Sequence, residues 1–133
     1  MVRFQKLPFS LQKSFEKHSL LKIIAGLNNF DQVSVRRIAN AAACGGADLL
    51  DIACEPNLVA TALEVSSLPV CVSSVEPSKF PIAVEAGASM IEIGNFDSFY
   101  SKGRLFEADE VLALTKETRI LLPDTFLSVT VPH

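Results

Sequence analysis

The sequence predicts an α/β fold built from parallel βα repeats, and two features indicate it. Short apolar runs alternate with longer segments of helical periodicity, which is the pattern of βα units on a parallel sheet. Residues 45–53 (GGADLLDIA) also recur as residues 86–94 (AGASMIEIG). In both copies a glycine ends a helix and an apolar strand begins at once, so each copy predicts a junction between a helix and the next strand.

The amino-terminal part of the chain predicts a helix that leads into the sheet. Residues 8–18 place Leu11, Phe15 and His18 three to four positions apart, a spacing typical of a short amphipathic helix. We expect this lead-in helix to plug one end of the sheet.

The remaining elements alternate along the chain. Short apolar runs bounded by turn residues predict strands at residues 20–27, 49–53, 70–74, 90–94 and 126–131. Helices are expected at residues 33–44 after an N-cap at Asp31, at 58–65, from 76 onward with Pro81 in the first turn, and at 107–121. The longest connection, residues 95–106, carries four aromatic side chains and is predicted to be a binding loop or a lid.

Two closures of such a sheet are compatible with this order of elements: an open doubly wound sheet, or the first half of a TIM-type (β/α)8 barrel. The near-copy in the second and fourth strands favours the barrel, because alternate barrel strands fill the same interior layer. A complete barrel needs roughly 250 residues, and this chain has 133. The prediction is therefore a single partial barrel domain over residues 1–133, with about five strands. Its exposed face and two open edges predict either association into a homo-oligomer such as a dimer, or instability.

Composition excludes several classes of protein. The net charge is −3 and the twelve Lys and Arg are scattered, so no nucleic-acid footprint is expected. No apolar run approaches the roughly 20 residues of a membrane span, and no secretory signal is apparent. Three cysteines, Cys44, Cys54 and Cys71, show no C-x-x-C spacing, so we expect small buried thiols and neither a disulfide framework nor a metal site.

Two acidic residues, Asp51 and Glu92, stand in the middle of apolar strands. Side chains alternate along a strand, so both carboxylates are expected to point into the barrel. There they would share a polar interior with Lys22 on the first strand, Ser73 on the third and Thr130 on the fifth. A buried carboxylate has a raised pKa unless a cation compensates its charge, and Lys22 is the strand lysine able to do so. Lys22, Asp51 and Glu92 are the predicted catalytic residues.

The alternative for these three residues is structural. A buried layer of ion pairs could hold the strands in register without any chemistry, and such networks also perturb pKa values. The sequence leaves both interpretations open.

Further polar residues are expected at the carboxyl ends of the strands, where barrel active sites lie. Asn28 and Asn95 follow the first and fourth strands, and each is followed by a Phe and an Asp, which predicts matched loops. These asparagines could instead only form turns, with Asp31 capping the next helix. His133 ends the fifth strand and is either a frayed terminal residue or a functional group. In the second case it would donate or accept a proton, or bind a metal with Asp51 and Glu92 as fellow ligands. The predicted substrate-binding residues are Asn28, Ser73, Asn95, Thr130 and His133.

Five stretches carry a resemblance to a known family: residues 22–30 (KIIAGLNNF), 45–47 with 51–53, 68–73 (LPVCVS), 92–97 (EIGNFD) and 129–133 (VTVPH). Together they resemble a family of hypothetical plastid open reading frames, found in algal chloroplast genomes and in cyanobacteria. The resemblance implies a barrel of the phosphate-binding type, a chloroplast or cyanobacterial location and no established activity. Family members continue well past residue 133, so strands six to eight are expected to lie outside this sequence.

The leading functional hypothesis is a barrel enzyme of the aldolase, isomerase or synthase type that acts on a small phosphorylated metabolite. No glycine-rich nucleotide motif occurs, and the sequence indicates no particular cofactor. The expected partner is a small molecule, with no nucleic acid and no membrane. The alternatives are a non-catalytic binding or regulatory protein and a truncated nonfunctional product.

Overall fold

The computed structural model describes residues 2–132, which form one parallel five-stranded sheet. The strands are β1 (Lys22–Gly26), β2 (Leu49–Ala53), β3 (Val70–Ser74), β4 (Met90–Ile93) and β5 (Leu127–Val129). They lie side by side in chain order, and each neighbouring pair is parallel. A doubly wound sheet reverses its strand order part of the way across. The chain is therefore a partial (β/α) barrel, as predicted.

Helices cover the outer face of this sheet. Those that connect successive strands are α3 (Gln32–Cys44), α4 (Pro56–Val65), α5 (Phe80–Glu85) and α7 (Ala108–Leu121). A 3₁₀ turn, Pro77–Lys79, precedes α5. Helix α4 begins two residues before its predicted start, because Pro56 is well suited to a first helical turn, where its missing N–H needs no partner. The first and last strands are shorter than predicted.

The amino-terminal segment contains two helices, α1 (Val2–Gln5) and α2 (Phe9–Glu16). Helix α2 is the predicted lead-in helix, whereas α1 was not predicted. Leu7 and the fully buried Leu11 pack against Leu49, Cys71 and Met90, which lie at the amino ends of three strands on the inner face. The amino-terminal segment therefore plugs the lower end of the half barrel, as expected.

The repeated junction has the same geometry in both copies. Gly46 has a φ of +78° and Gly87 a φ of +119°, in the left-handed region that favours glycine. In the first copy the N–H of Ala47 donates to the carbonyl oxygen of Ala42 at 3.0 Å, and the second copy has the equivalent bond. This is the Schellman arrangement that ends a helix. The predicted helix ends are confirmed.

Two details differ from the expectations. Residues 95–106 are not entirely loop, since α6 (Asp97–Tyr100) forms one helical turn there. Cys54 and Cys71 are buried free thiols, but Cys44 is exposed, because it ends α3 at the surface. His133 lies outside the described residues. Among residues 2–132, no helix combines the length and the apolar character needed to cross a membrane.

Candidate functional site

Asp51 and Glu92 lie on the inner face of the sheet, above the plug. The flanking residues of each, such as Leu50 and Ile52, belong to the core between the sheet and the outer helices. Alternation then directs both carboxylates to the opposite face. The register pairs Asp51 with Cys71 of β3, and it pairs Glu92 with Ser73, two residues further along the same strand. The two acids therefore lie close to each other on the inner face.

Lys22 lies between the two acids. Its Nζ donates a hydrogen bond to Oε2 of Glu92 at 2.8 Å and lies 3.2 Å from Oδ2 of Asp51. The carboxylate side chains are almost fully buried, with exposed fractions of 1 % for Asp51 and 6 % for Glu92, whereas the side chain of Lys22 is 22 % exposed. Solvent therefore reaches the cluster at Lys22.

Ser73 completes the cluster by holding one oxygen of Asp51. Its Oγ donates to Oδ1 of Asp51 at 2.6 Å. The other oxygen, Oδ2, is buried, and its contact with Nζ of Lys22 does not have the geometry of a hydrogen bond. Within residues 2–132, Oδ2 is therefore held by this ion pair and by no well-aligned hydrogen bond. A buried carboxylate oxygen in this state can accept a donor or a proton from a ligand.

The environment shifts the pKa of two members of the cluster. Burial raises the pKa of Asp51, although the hydrogen bond from Ser73 and the charge of Lys22 work against this shift. Burial disfavours the charge on Lys22, but the hydrogen bond with Glu92 and the two carboxylate charges outweigh it and raise the pKa of Lys22. Lys22 is therefore an ammonium ion at neutral pH, and Asp51 holds a proton more readily than an exposed aspartate.

Thr130 does not join this cluster. Its N–H donates to the carbonyl oxygen of Ile93 at 2.9 Å. Its side chain lies against Gly94, which is two residues after Glu92 in the chain. The β5 residue in register with Glu92 is Ser128. Sequence reasoning missed Ser128, although its two-residue spacing from Thr130 places it on the same face.

The two asparagines have different surroundings. Asn95, two residues after the end of β4, has a left-handed backbone with a φ of +60°. Its buried Nδ2 finds no acceptor within residues 2–132. The turn after β1 is held by Asn29, whose Nδ2 donates to the Ala25 carbonyl oxygen and to Oγ of Ser34. Asn28 makes no hydrogen bond of this kind in the described part of the chain. Asp31 caps α3 by accepting from the N–H of Val33 at 2.9 Å, as expected.

A cavity of about 170 Å³ lies at the carboxyl ends of the strands, bordered by Asn28 after β1 and by Ser73 and Ser74 at the end of β3. Ser73 thus connects this cavity to Asp51. Cys54 and Lys79 also border it, and sequence reasoning did not select them. The signal that could have found Cys54 is its position directly after a strand. In residues 2–132 no three His, Cys, Asp or Glu side chains form a set that could hold a metal ion.

Relatives of this chain have been found by sequence. It is 50 % identical over 119 residues to the uncharacterized protein ycf23 of Cyanophora paradoxa, a match that covers 89 % of this chain and 49 % of the relative. It is 40 % identical over 123 residues to ycf23 of Antithamnion sp., covering 92 % of this chain and 44 % of the relative. The chain spans about half the length of the curated relatives it matches.

A solved structure supports the fold. A protein from Coccidioides immitis assigned as a deoxyribose-phosphate aldolase superposes on 83 % of this chain with a TM-score of 0.54, and the match covers 46 % of that protein. The sequence identity is 17 %, so this likeness concerns the barrel fold alone. The model of the family of proteins of unknown function DUF561 matches residues 6–133. With the ycf23 relatives, this match confirms the resemblance to plastid open reading frames, and the chain belongs to the DUF561 family.

Proposed function

We propose that the cluster of Lys22, Asp51 and Glu92 is the reaction centre of a barrel enzyme that moves a proton on a small phosphorylated metabolite. The reaction class is that of aldolases, isomerases and synthases. The observation that supports this proposal is the buried Oδ2 of Asp51, which is paired with the ammonium of Lys22 at 3.2 Å and accepts no well-aligned hydrogen bond within residues 2–132. A proton acceptor next to a fixed cation is what proton abstraction beside a carbonyl group requires.

Each residue has a role in this proposal. Oδ2 of Asp51 takes a proton from the carbon next to the substrate carbonyl, and the electron pair of the broken C–H bond moves to the carbonyl oxygen. The ammonium of Lys22 stabilises the resulting enolate, and return of the proton to carbon completes the reaction. Ser73 orients the carboxylate of Asp51, and Glu92 keeps Lys22 charged. These two are positioning residues.

The raised pKa of Lys22 favours this class of reaction over imine chemistry. A lysine that attacks a carbonyl carbon must be a neutral amine, which requires a lowered pKa. In Lys22 the two carboxylates have the opposite effect. Its proposed role is therefore electrostatic and not nucleophilic.

The proposed substrate class and location depend on similarity to other proteins and not on the geometry of this cluster. The phosphorylated substrate is inferred from the resemblance to barrels of the phosphate-binding type. The location is inferred from the plastid relatives, and we propose a chloroplast or the cytoplasm of a cyanobacterium. Because the chain spans about half of its relatives, these statements about the whole protein are proposals.

Exchange of carbon-bound hydrogen with solvent tests the proposal. The chain is incubated in D2O with dihydroxyacetone phosphate, ribulose 5-phosphate and fructose 6-phosphate in turn, and proton NMR follows the loss of C–H signals. We expect exchange on at least one compound and a loss of about 10²-fold or more in Asp51→Asn, the range of general acid–base catalysis. Exposed Glu85 provides the control variant Glu85→Gln. No exchange with any compound, or equal rates in Asp51→Asn, contradicts the proposal.

A structural role is the second candidate, and one observation favours it. Lys22 connects three strands, because it contacts Asp51 of β2 and Glu92 of β4 from β1. A cluster with this role alone would change stability when substituted and would leave no solvent exchange to lose. The same set of variants therefore separates the two candidates.

A further inference from the structure

The cavity at the carboxyl end of the sheet is lined by apolar and polar side chains in about equal number, and the hydrogen-bonding capacity of the polar ones is only partly used. Its volume of about 170 Å³ has room for about five or six water molecules at roughly 30 Å³ each. That is enough for a compound of a few carbon atoms with one charged group. Asn28, Ser74 and Lys79 border it from three different segments of the chain.

The unused groups of this lining are mainly donors. The amide of Asn28 makes no hydrogen bond within residues 2–132. Oγ of Ser74 accepts from the N–H of Glu76 at 2.9 Å, which leaves its own proton free to donate. Nζ of Lys79 donates to Oε1 of Glu76 at 2.7 Å and has two further protons. A ligand that accepts several hydrogen bonds fits this surface.

The charges around the cavity also permit an anion. The ammonium of Lys79 is balanced by the carboxylate of Glu76, and both side chains are about half exposed. The thiol of Cys54 is uncharged at neutral pH, because burial raises its pKa to about 12 even though Lys79 opposes the shift. Glu76 is thus the one negative group that competes with a bound anion for Lys79 among these lining residues.

We propose that this cavity binds the oxyanion end of a small metabolite, a phosphate or a carboxylate, through the side chains of Asn28, Ser74 and Lys79. The inference rests on the proposed function in one respect, which is that the remainder of the ligand extends past Ser73 to Asp51. Ser73 borders the cavity and donates to Oδ1 of Asp51, so the two places are adjacent. An anion held here would place the rest of the ligand beside Ser73, next to the buried carboxylate of Asp51.

Binding is measured by NMR titration of the ¹⁵N-labelled 133-residue chain. Inorganic phosphate and glycolate are added in separate experiments at constant ionic strength, which distinguishes a phosphate site from a carboxylate site. We expect saturable shifts of the Asn28 side-chain amide and of the Ser74 N–H with at least one of the two anions. The absence of saturable shifts at both groups with both anions overturns the inference.

Charge variants identify the residues that hold the anion. Lys79→Gln is expected to weaken binding about tenfold, the effect of losing a hydrogen bond to a charged group. Glu76→Gln is expected to tighten binding about threefold, because Lys79 is released from an exposed ion pair. Lys17→Gln is the control, since Lys17 is exposed at the end of α2, by the opposite end of the sheet. Equal affinities in Lys79→Gln and Lys17→Gln overturn the inference.

The variant Asp51→Asn separates this inference from the proposed function. It should lose solvent exchange of substrate hydrogen but bind the anion with unchanged affinity. If instead Asp51→Asn changes anion affinity and Lys79→Gln does not, the anion lies at Lys22 and the cavity assignment is wrong, while the proposed reaction centre stands. The spectrum of each variant reports whether it is folded.

Discussion

Lys22 on β1 donates a hydrogen bond at 2.8 Å to Glu92 on β4, although two strands lie between them in the sheet. At a spacing of about 4.8 Å per strand, a flat sheet would separate β1 and β4 by about 14 Å. Two side chains meeting end to end barely cover that distance, and both would have to lie flat along the sheet. The contact therefore shows that the sheet of the half barrel is curved. Its inner face is concave, and the ionic cluster lies on that face.

The first prediction concerns the cation of this cluster. Lys22→Met removes the only ammonium that contacts Asp51 or Glu92 within residues 2–132, and leaves two carboxylates buried without compensation. We expect the free energy of unfolding to fall by about 3–5 kcal/mol, the usual effect of breaking a buried ion pair by removing one partner. Urea unfolding followed by circular dichroism measures it. Lys17→Met serves as the control, and an equal loss in both variants would contradict the prediction.

The second prediction concerns the pH dependence that Asp51 confers. Its pKa is raised in the folded chain, so the folded state binds the proton more tightly than the unfolded state does. The stabilisation that Asp51 contributes is therefore complete below its pKa in the unfolded chain, about 3.9. It is lost as the pH rises through the higher pKa that Asp51 has in the folded chain. Asp51→Asn cannot lose a proton, so we expect it to be at least as stable as the parent at neutral pH.

The measurement for Asp51→Asn is the urea midpoint at several pH values between 4 and 7. The difference between the variant and the parent should grow as the pH rises. The exposed variant Glu85→Gln should show no such trend. A variant that loses stability most strongly at pH 7 would show that ionised Asp51 stabilises the fold, which is the structural role and not the catalytic one.

The inner cluster could be predicted from the sequence because it depends on local patterns. Alternation about Asp51 and Glu92 settles which face the carboxylates occupy, and the repeat assigns both to equivalent positions. The register of β5 against β4 depends instead on where α7 and the loop after it place the first residue of β5. No local pattern encodes that distance, which is why Thr130 was expected beside Glu92 where the structure has Ser128.

The loops were harder to predict for a related reason. Asn28 and Asn29 have equal turn propensity, and only the position of the Ala25 carbonyl and of Ser34 decides that Asn29 holds the turn. That choice leaves Asn28 at the cavity. The cavity itself joins residues from loops that are distant in sequence, so no single motif could indicate it.

The third prediction concerns the close approach of β5 to Gly94. A Cβ at Gly94 would lie 2.6 Å from Cβ of Thr130, well inside van der Waals contact, so Gly94→Ala must displace the end of β5. We expect a loss of about 1–3 kcal/mol, typical of overpacking. Thr130→Gly should restore much of it in the double variant, because the two residues are in direct contact and their effects are coupled. Additive losses in that double-mutant cycle would contradict the steric explanation.

Gly46→Ala provides the comparison for the third prediction. The space around Gly46 is open, so its cost comes from the left-handed backbone alone, about 1–2 kcal/mol. Thr130→Gly should not reduce this loss, since no contact joins the two positions. The pair of glycine variants thus separates a steric cost from a conformational cost in one fold.

The fourth prediction concerns the exposed apolar surface beside β5. Ile120 is 81 % exposed and Leu112 is 50 % exposed, both on α7, and a groove of about 640 Å³ runs between α7 and β5. The outer edges of β1 and β5 are also unpaired among the described residues. Exposed apolar surface and open strand edges both favour association. We expect a second copy of the 133-residue chain to cover this face, so that the chain self-associates with increasing concentration.

Sedimentation velocity over a range of concentrations tests this fourth prediction. The double variant Leu112→Lys with Ile120→Lys should remain monomeric at concentrations where the parent associates, because two ammonium groups cannot be buried in the contact without a large desolvation cost. Val33→Lys is the matched control, since Val33 is also apolar and is 58 % exposed but lies on α3, which packs beside β1 at the other edge of the sheet. If the control is as monomeric as the double variant, association does not use the face of α7. A parent that is itself monomeric at every concentration contradicts the prediction.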